Sequence, residues 1–257
     1  MAYRLVLVCS LALGTLVSAA GPEMIALTDD GALVVFRPGE TPSRRIVPTG
    51  VSGRLAGIDR RPADGKLYGV TATDVYTLDV ASGAAMLVST LTVPFDGELR
   101  SGVDFTPQLD RLRLVSADGR NLRVNVALGA TAVDAPLAYA ADDVHRGARP
   151  RITAAAYANN RPGVATTTLF ELDCGLDVLV IQDPANDGVL KTVGSLGTDV
   201  PDLAGFDILT DPEGRDDAYA AWGTTLQAID LATGRASTLG PIPGATRPVV
   251  SLAVLGP

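Results

Sequence analysis

Short apolar or alternating segments, bounded by turn residues, follow one another along the whole chain after its first twenty residues. Residues 66–71, 111–116 and 217–221 are examples, and each follows a turn that contains proline. No long stretch combines an apolar 3.6-residue period with helix caps. The acidic residues favour turns in the same way, because 24 of the 29 are Asp, which bends and caps the backbone locally. The pattern predicts an all-β fold.

A unit of four strands recurs about every 50 residues. In three copies the first strand ends with a glycine, an apolar residue and an aspartate, and the three glycines are Gly57, Gly102 and Gly205. Its third strand ends in an acid or amide followed four residues later by glycine, at residues 79–83, 125–129 and 230–234. A divergent copy covers residues 152–196, with a longer turn at 183–188. The chain therefore contains four clear copies of one structural unit.

The two ends of the chain supply a fifth unit between them. Residues 249–254 resemble a first strand with nothing after it, and residues 24–47 resemble strands two to four without a first. Joining the termini in this way is what radial closure requires, whereas a linear solenoid or a sandwich does not need it. We therefore expect a five-bladed β-propeller of four-stranded blades, closed by the C-terminal strand joining the N-terminal blade.

The first residues have the features of an export signal. Arg4 precedes an apolar run, and the small residues Ser18, Ala19 and Ala20 fit a cleavage site. We interpret residues 1–20 as a signal peptide and 21–257 as a single propeller domain, located in the periplasm or outside the cell. The apolar run is too short to span a bilayer, which needs about 20 residues.

Charge and rare residues exclude several function classes. The net charge of −8, without Lys/Arg clusters, argues against nucleic acid and anionic membrane surfaces as partners. His145 is the only histidine, so zinc sites and hydrolytic triads built on histidine are disfavoured. Cys174 is the only cysteine after the signal, which excludes an internal disulfide in the mature chain. We expect a monomer.

Several motifs resemble one family of sequences. They are Gly57-Ile58-Asp59, Gly102-Val103-Asp104-Phe105-x-Pro107, Asn121-Leu122-Arg123-Val124-Asn125 and Leu231-Ala232-Thr233-Gly234. This order is similar to the family called domain of unknown function 4394, and the likeness extends over nearly the whole mature chain. Members are exported bacterial proteins without an established activity. The resemblance implies a secreted, propeller-like domain and leaves its chemistry open.

Three aspartates at equivalent strand ends form the first candidate site. The innermost strands of a propeller line its axis, so Asp59, Asp104 and Asp207, with Tyr157 from the divergent unit, are expected to converge near one mouth of the channel. Calcium would suit such a site, because it takes oxygen ligands from several segments and needs no histidine. The alternative is that each aspartate accepts backbone hydrogen bonds at its own strand end and organises the following turn.

The second unit holds the other candidate site. Arg111 and Arg113 alternate with leucines in one strand, and Asn121 and Arg123 alternate with apolar residues in the next, so one face is strongly polar. With Tyr157, these are the predicted ligand-binding residues. Two interpretations stay open: an inter-blade salt-bridge network with Asp104, Asp110 or Asp134, or an anion or carboxylate-bearing ligand held bidentately by arginine.

Two classes of function are compatible with this sequence. The first is a secreted, non-catalytic propeller that binds a small molecule, a carbohydrate or a protein surface, and it is favoured because no nucleophile, phosphate loop or metal motif is recognisable. The alternative is a hydrolase or lactonase-like enzyme with a carboxylate or calcium site in the channel. No catalytic residue is predicted. The spacing and accessibility of the three aspartates distinguish the two classes.

Overall fold

The computed structural model describes residues 21–256. The predicted signal peptide lies outside the described residues, as does Pro257. The described strands, in chain order, are β1 (Glu23–Thr28), β2 (Leu33–Phe36), β3 (Arg44–Ile46), β4 (Gly57–Arg60), β5 (Leu67–Val70), β6 (Asp74–Leu78), β7 (Ala85–Thr90), β8 (Ser101–Thr106), β9 (Arg111–Ser116), β10 (Asn121–Asn125), β11 (Ala130–Val133), β12 (Ala138–Tyr139), β13 (Ile152–Tyr157), β14 (Leu169–Asp173), β15 (Val178–Gln182), β16 (Val189–Ser195), β17 (Ala204–Thr210), β18 (Asp216–Trp222), β19 (Thr225–Ile229), β20 (Ala236–Pro241) and β21 (Val249–Gly256).

These strands form five sheets, which are the blades of a propeller. Blade 1 has the strand order β21-β1-β2-β3, blade 2 β4-β5-β6-β7, blade 3 β8-β9-β10-β11, blade 4 β13-β14-β15-β16-β12 and blade 5 β17-β18-β19-β20. The first strand of each blade contacts the first strands of its two neighbours, so that β4, β8, β13, β17 and β21 surround the axis. The prediction of an all-β, five-bladed propeller is confirmed.

The ring closes through the C-terminal strand, as predicted. Strand β21 pairs antiparallel with β1, with Ile25 opposite Ala253. Apolar side chains fill the spaces between neighbouring blades; Tyr68 of blade 2, for example, meets Phe105 of blade 3 edge to face, with ring centroids 5.2 Å apart. Burial between blades, together with closure that leaves only short edges, is what holds such a ring together.

The glycine of the repeated Gly-x-Asp motif permits close approach of the first strands. A Cβ atom built on Gly102 would lie 2.5 Å from the Cβ of Ala155 in blade 4, and one built on Gly57 would lie 2.4 Å from Val103 Cγ2 in blade 3. Any side chain at these positions would push the blades apart at the axis. The glycine therefore serves packing, and the aspartate two residues later is brought close to the next blade.

Blade 4 differs from the predicted four-stranded unit. The two-residue strand β12 adds to its outer edge, running parallel to β16. Its long turn contains a short 3₁₀ helix, Ala185–Asp187, which reaches toward blade 3. Within residues 21–256, no helix has the length and apolar character needed to cross a membrane.

Candidate functional site

The three predicted aspartates converge on the propeller axis. Asp59 lies on β4, Asp104 on β8 and Asp207 on β17, and one carboxylate oxygen from each lies within 4.8 Å of the others. We call these residues the axial triad. They lie within the strands rather than at an open mouth, since they are only 1–2% exposed. Convergence is therefore as expected, but the group is enclosed.

Each carboxylate connects its own blade to the next. Asp59 accepts from the amide of Phe105 at 2.7 Å, and Asp207 accepts from the amide of Val254 at 2.5 Å. Asp104 accepts from the amide of Tyr157. Part of the sequence alternative also holds, because Asp59 accepts from the amide of Arg60 and Asp207 from the amide of Ile208, each at its own strand end. The second oxygen of each is used across the blade interface.

The bonding pattern also shows why Tyr157 is not part of the triad. Asp59 accepts from the amide of Phe105, which is the residue that follows Asp104 in the next blade. Asp104 in turn accepts from the amide of Tyr157, so the residue before it, Ala156, is the equivalent of these aspartates in blade 4. Tyr157 is one position further, and side chains alternate between faces along a strand. Its hydroxyl instead accepts from Arg113 Nε at 3.4 Å.

The triad is electrostatically uncompensated within the described chain. Burial, followed by repulsion from neighbouring carboxylates, raises the pKa of Asp59 and of Asp104 well above the ordinary value. Burial raises the pKa of Asp207 to about 7. The charge of Arg60 lowers the pKa of Asp59 and of Asp207 somewhat, but its Nε donates to the carbonyl of Gly65 and not to the triad. The Oδ1 atom of Asp104 has no hydrogen-bond partner among residues 21–256.

The second candidate region is a cavity of about 590 Å³ between blades 3 and 4. Arg113 and Arg123 are directly opposite each other on β9 and β10 and therefore share one face of blade 3. Both line the cavity, together with Tyr157, Gln182 and Asn186 of blade 4. The polar face predicted from the alternation in β9 and β10 therefore forms one wall of the cavity.

Arg113 is buried and extensively hydrogen-bonded. Its Nη1 donates to Asn121 Oδ1 and to Asp134 Oδ2, each at 2.6 Å, and its Nη2 donates to Asn186 Oδ1 at 2.8 Å. Four residues from both blades, including Tyr157, therefore hold one guanidinium group. Such saturation is what a buried charge requires, and it assigns Arg113 to the support of the cavity wall.

Arg123 and Arg113 share one carboxylate. Arg123 donates to Asp134 through Nε at 2.6 Å and Nη2 at 2.9 Å, in a two-pronged pair. We call Arg113, Arg123 and Asp134 the arginine cluster. Burial alone would raise the pKa of Asp134, but the two guanidinium groups outweigh burial and hold it below the ordinary value. With two cations and one anion, the cluster carries a net positive charge.

The other predicted residues have different positions. Asn121 lies behind the cavity wall, where its amide donates to the carbonyls of Ala135 and Ala185. Arg111 does not join the cluster, since its Nη1 donates to the backbone of Leu109 and Asp110. Of the expected carboxylate partners, only Asp134 pairs with these arginines, whereas Asp110 pairs with Arg61 of blade 2.

Glu171, Gln182 and Asn186 were not identified from the sequence. Glu171 on β14 is fully buried, and neither of its oxygens has a partner among the described residues. Burial raises its pKa to about 8, although nearby Arg113 opposes the shift. The signal was a glutamate inside an apolar strand, in a chain with only five glutamates. Asn186 lies in a turn, where nothing in the sequence indicated a contact with blade 3.

The fold and the site define a closed five-bladed β-propeller with a polar cavity between two blades. The chain belongs to the family described as Domain of unknown function (DUF4394), which matches residues 33–253. The resemblance inferred from the sequence motifs is thus confirmed. No curated protein sequence matches the chain.

Solved structures with a similar fold are distant in sequence. A structural genomics protein of unknown function from Bacteroides thetaiotaomicron is 16% identical, with a TM-score of 0.53 over 92% of this chain and 63% of the other. An auxiliary nutrient binding protein from Bacteroides ovatus is 14% identical, with a TM-score of 0.46 over 76% of this chain and 55% of the other. The chain thus spans less than two thirds of either protein. The likeness concerns the fold alone.

Proposed function

We propose that this protein is an exported, non-catalytic binding module that holds a small carboxylate-bearing ligand in the cavity between blades 3 and 4. The observation that carries the proposal is the state of Arg123. One edge of its guanidinium, Nε and Nη2, is used by Asp134, whereas Nη1 has no partner among residues 21–256. The side chain is 30% exposed and lines the cavity.

The cavity has the size and chemistry of a ligand site. About 590 Å³ is within the usual range for small-molecule pockets. Arg113 is fixed by its four partners, and it fixes Asp134, which in turn orients Arg123. A preoriented guanidinium edge loses little entropy when it binds a planar carboxylate. Thr168, Gln108 and Asn186 add polar groups suited to ligand hydroxyls, and the acids Asp183 and Asp187 also line the cavity, so a ligand that combines one carboxylate with hydroxyls, such as an acidic sugar, is one suitable candidate.

The enzyme alternative requires a substrate in contact with the axial carboxylates. These groups are 1–2% exposed, and the cavity does not include them. Hydrolysis by a pair of carboxylates needs both in contact with the substrate or its attacking water. Their burial favours the binding module over a hydrolase or lactonase-like enzyme.

Calorimetric titration with matched ligands tests the binding site. We expect galacturonate or another small carboxylate to bind, and the neutral sugar galactose to bind much more weakly. Arg123→Gln should weaken binding about 10-fold to 100-fold, since a hydrogen bond to a charged group contributes about 1.5–3 kcal/mol. Arg111→Gln is the matched control, because Arg111 is on the same blade but does not line the cavity.

Two outcomes would contradict the binding proposal. One is equal loss of affinity in Arg123→Gln and Arg111→Gln, and the other is unchanged affinity in Arg123→Gln. Turnover of a glycosidic or lactone substrate that depends on Asp59 or Asp104 would favour the enzyme instead. Export is tested separately by N-terminal sequencing of the secreted chain, which should begin near Gly21; retention of Met1 would contradict it.

A further inference from the structure

We propose that the axial triad binds a calcium ion, with Asp59, Asp104 and Asp207 as ligands from three different blades. The ion is structural and lies on the propeller axis, separate from the cavity between blades 3 and 4. The proposal does not depend on the ligand of that cavity.

The first observation is the spacing of the carboxylates. One oxygen from each aspartate lies within 4.8 Å of the other two. Calcium binds oxygen at about 2.3–2.6 Å, so three evenly spaced ligand oxygens around one ion are at most about 4.0–4.5 Å apart. For magnesium, at about 2.0–2.1 Å, the same limit is about 3.5–3.6 Å. A triad whose oxygens all lie within 4.8 Å of one another therefore needs less adjustment to hold calcium than to hold magnesium.

The second observation is the unpartnered oxygen of Asp104. Both oxygens of Asp59 and both oxygens of Asp207 accept backbone amides. Asp104 accepts only the amide of Tyr157, and its buried Oδ1 has no partner among the described residues. A buried carboxylate oxygen that has lost water without gaining a partner is costly. A cation at the triad supplies the missing partner.

The third observation concerns the two blades that contribute no carboxylate. Alanine occupies the position of the triad aspartates in both of these blades. It is Ala156 in blade 4, just before the amide bonded by Asp104. It is Ala253 in blade 1, just before the amide bonded by Asp207. Blades 4 and 1 therefore add no side-chain ligand, and the three aspartates are the only carboxylates that the equivalent positions provide in the described chain. Remaining ligand positions of the ion would then be taken by water, which calcium commonly retains.

Metal analysis of the unmodified protein is the direct test. The full chain is unfolded and refolded with either EDTA or calcium, and metal content is then measured by native mass spectrometry. We expect about one calcium per refolded chain and retention through gel filtration. In melting experiments, calcium at a hundredfold excess over Kd should raise the melting temperature by roughly 5 to 10 °C relative to EDTA, and magnesium should raise it less.

Variants distinguish a metal site from a merely buried cluster. In EDTA, Asp104→Asn should melt higher than the wild type because it removes a repelled charge, but in calcium it should lose most of the calcium-dependent rise. Exposed Asp199→Asn is the control and should behave as the wild type in both conditions. Absence of bound calcium together with unchanged melting would overturn the proposal. So would a calcium-dependent rise that persists in Asp104→Asn and in the double variant Asp59→Asn, Asp104→Asn.

Discussion

The axial triad and the arginine cluster are both buried groups of charges, yet the chain treats them differently. In the arginine cluster, Asp134 accepts from two guanidinium groups, so opposite charges compensate each other. In the axial triad, three carboxylates face one another and receive only backbone amides. Pairing of opposite charges therefore lowers the free-energy cost of burying the arginine cluster. The axial triad has no such pairing, so its burial depends on protons or a cation.

The largest expected effect comes from breaking the compensated group. Asp134→Asn removes the only carboxylate within residues 21–256 that pairs with buried Arg113 and with Arg123. Because a buried guanidinium without its counter-charge is strongly unfavourable, we expect a loss of about 3–5 kcal/mol in the free energy of unfolding, measured by urea titration.

An exposed acid provides the control for Asp134. Asp183, whose side chain is 66% exposed and pairs with Lys191, should lose only about 0–1 kcal/mol when changed to asparagine. Equal losses in Asp134→Asn and Asp183→Asn would show that burial of the arginine cluster contributes nothing, and the comparison would then fail.

The next effect, which is smaller per pH unit than the loss expected for Asp134→Asn, concerns Glu171, which lies near Arg113 but has no partner within residues 21–256. Its pKa of about 8 means that the folded state keeps a proton which the unfolded state releases above about pH 4.5. Stability should therefore fall as pH rises from about 4.5 to 8. Glu171→Gln should remove up to about 1.4 kcal/mol per pH unit from that slope. An unchanged slope in this variant would place Glu171 among the compensated groups.

The sequence predicted the ring well because its signals are local. The Gly-x-Asp ends, the proline turns and the terminal strand of residues 249–254 each follow from turn chemistry or close packing, and all five blades are present. The polar face of β9 and β10 followed from the two-residue period. Convergence of the three aspartates followed from blade symmetry, while their enclosure depends on how tightly the first strands approach.

The missed features depend on contacts between distant segments. Strand β12 has only two residues and carries no turn or periodic signal. Asn186 lies in the turn that precedes β16, and the course of this turn places it against Arg113 of blade 3. Aligning Tyr157 rather than Ala156 with Asp104 was an error of one residue, and one residue reverses the face of a strand. Local patterns do not fix such a register in a divergent repeat.

The pH dependence of stability is the most direct test of the claim that the axial triad is uncompensated. It should be measured in EDTA in the Glu171→Gln background, between pH 5 and 8, by urea unfolding. The raised pKa values of Asp59, Asp104 and Asp207 mean that the folded state holds protons that the unfolded state has released, so stability should fall as pH rises. A flat or rising profile would contradict the account, because it would show that the three carboxylates are already compensated by the chain itself.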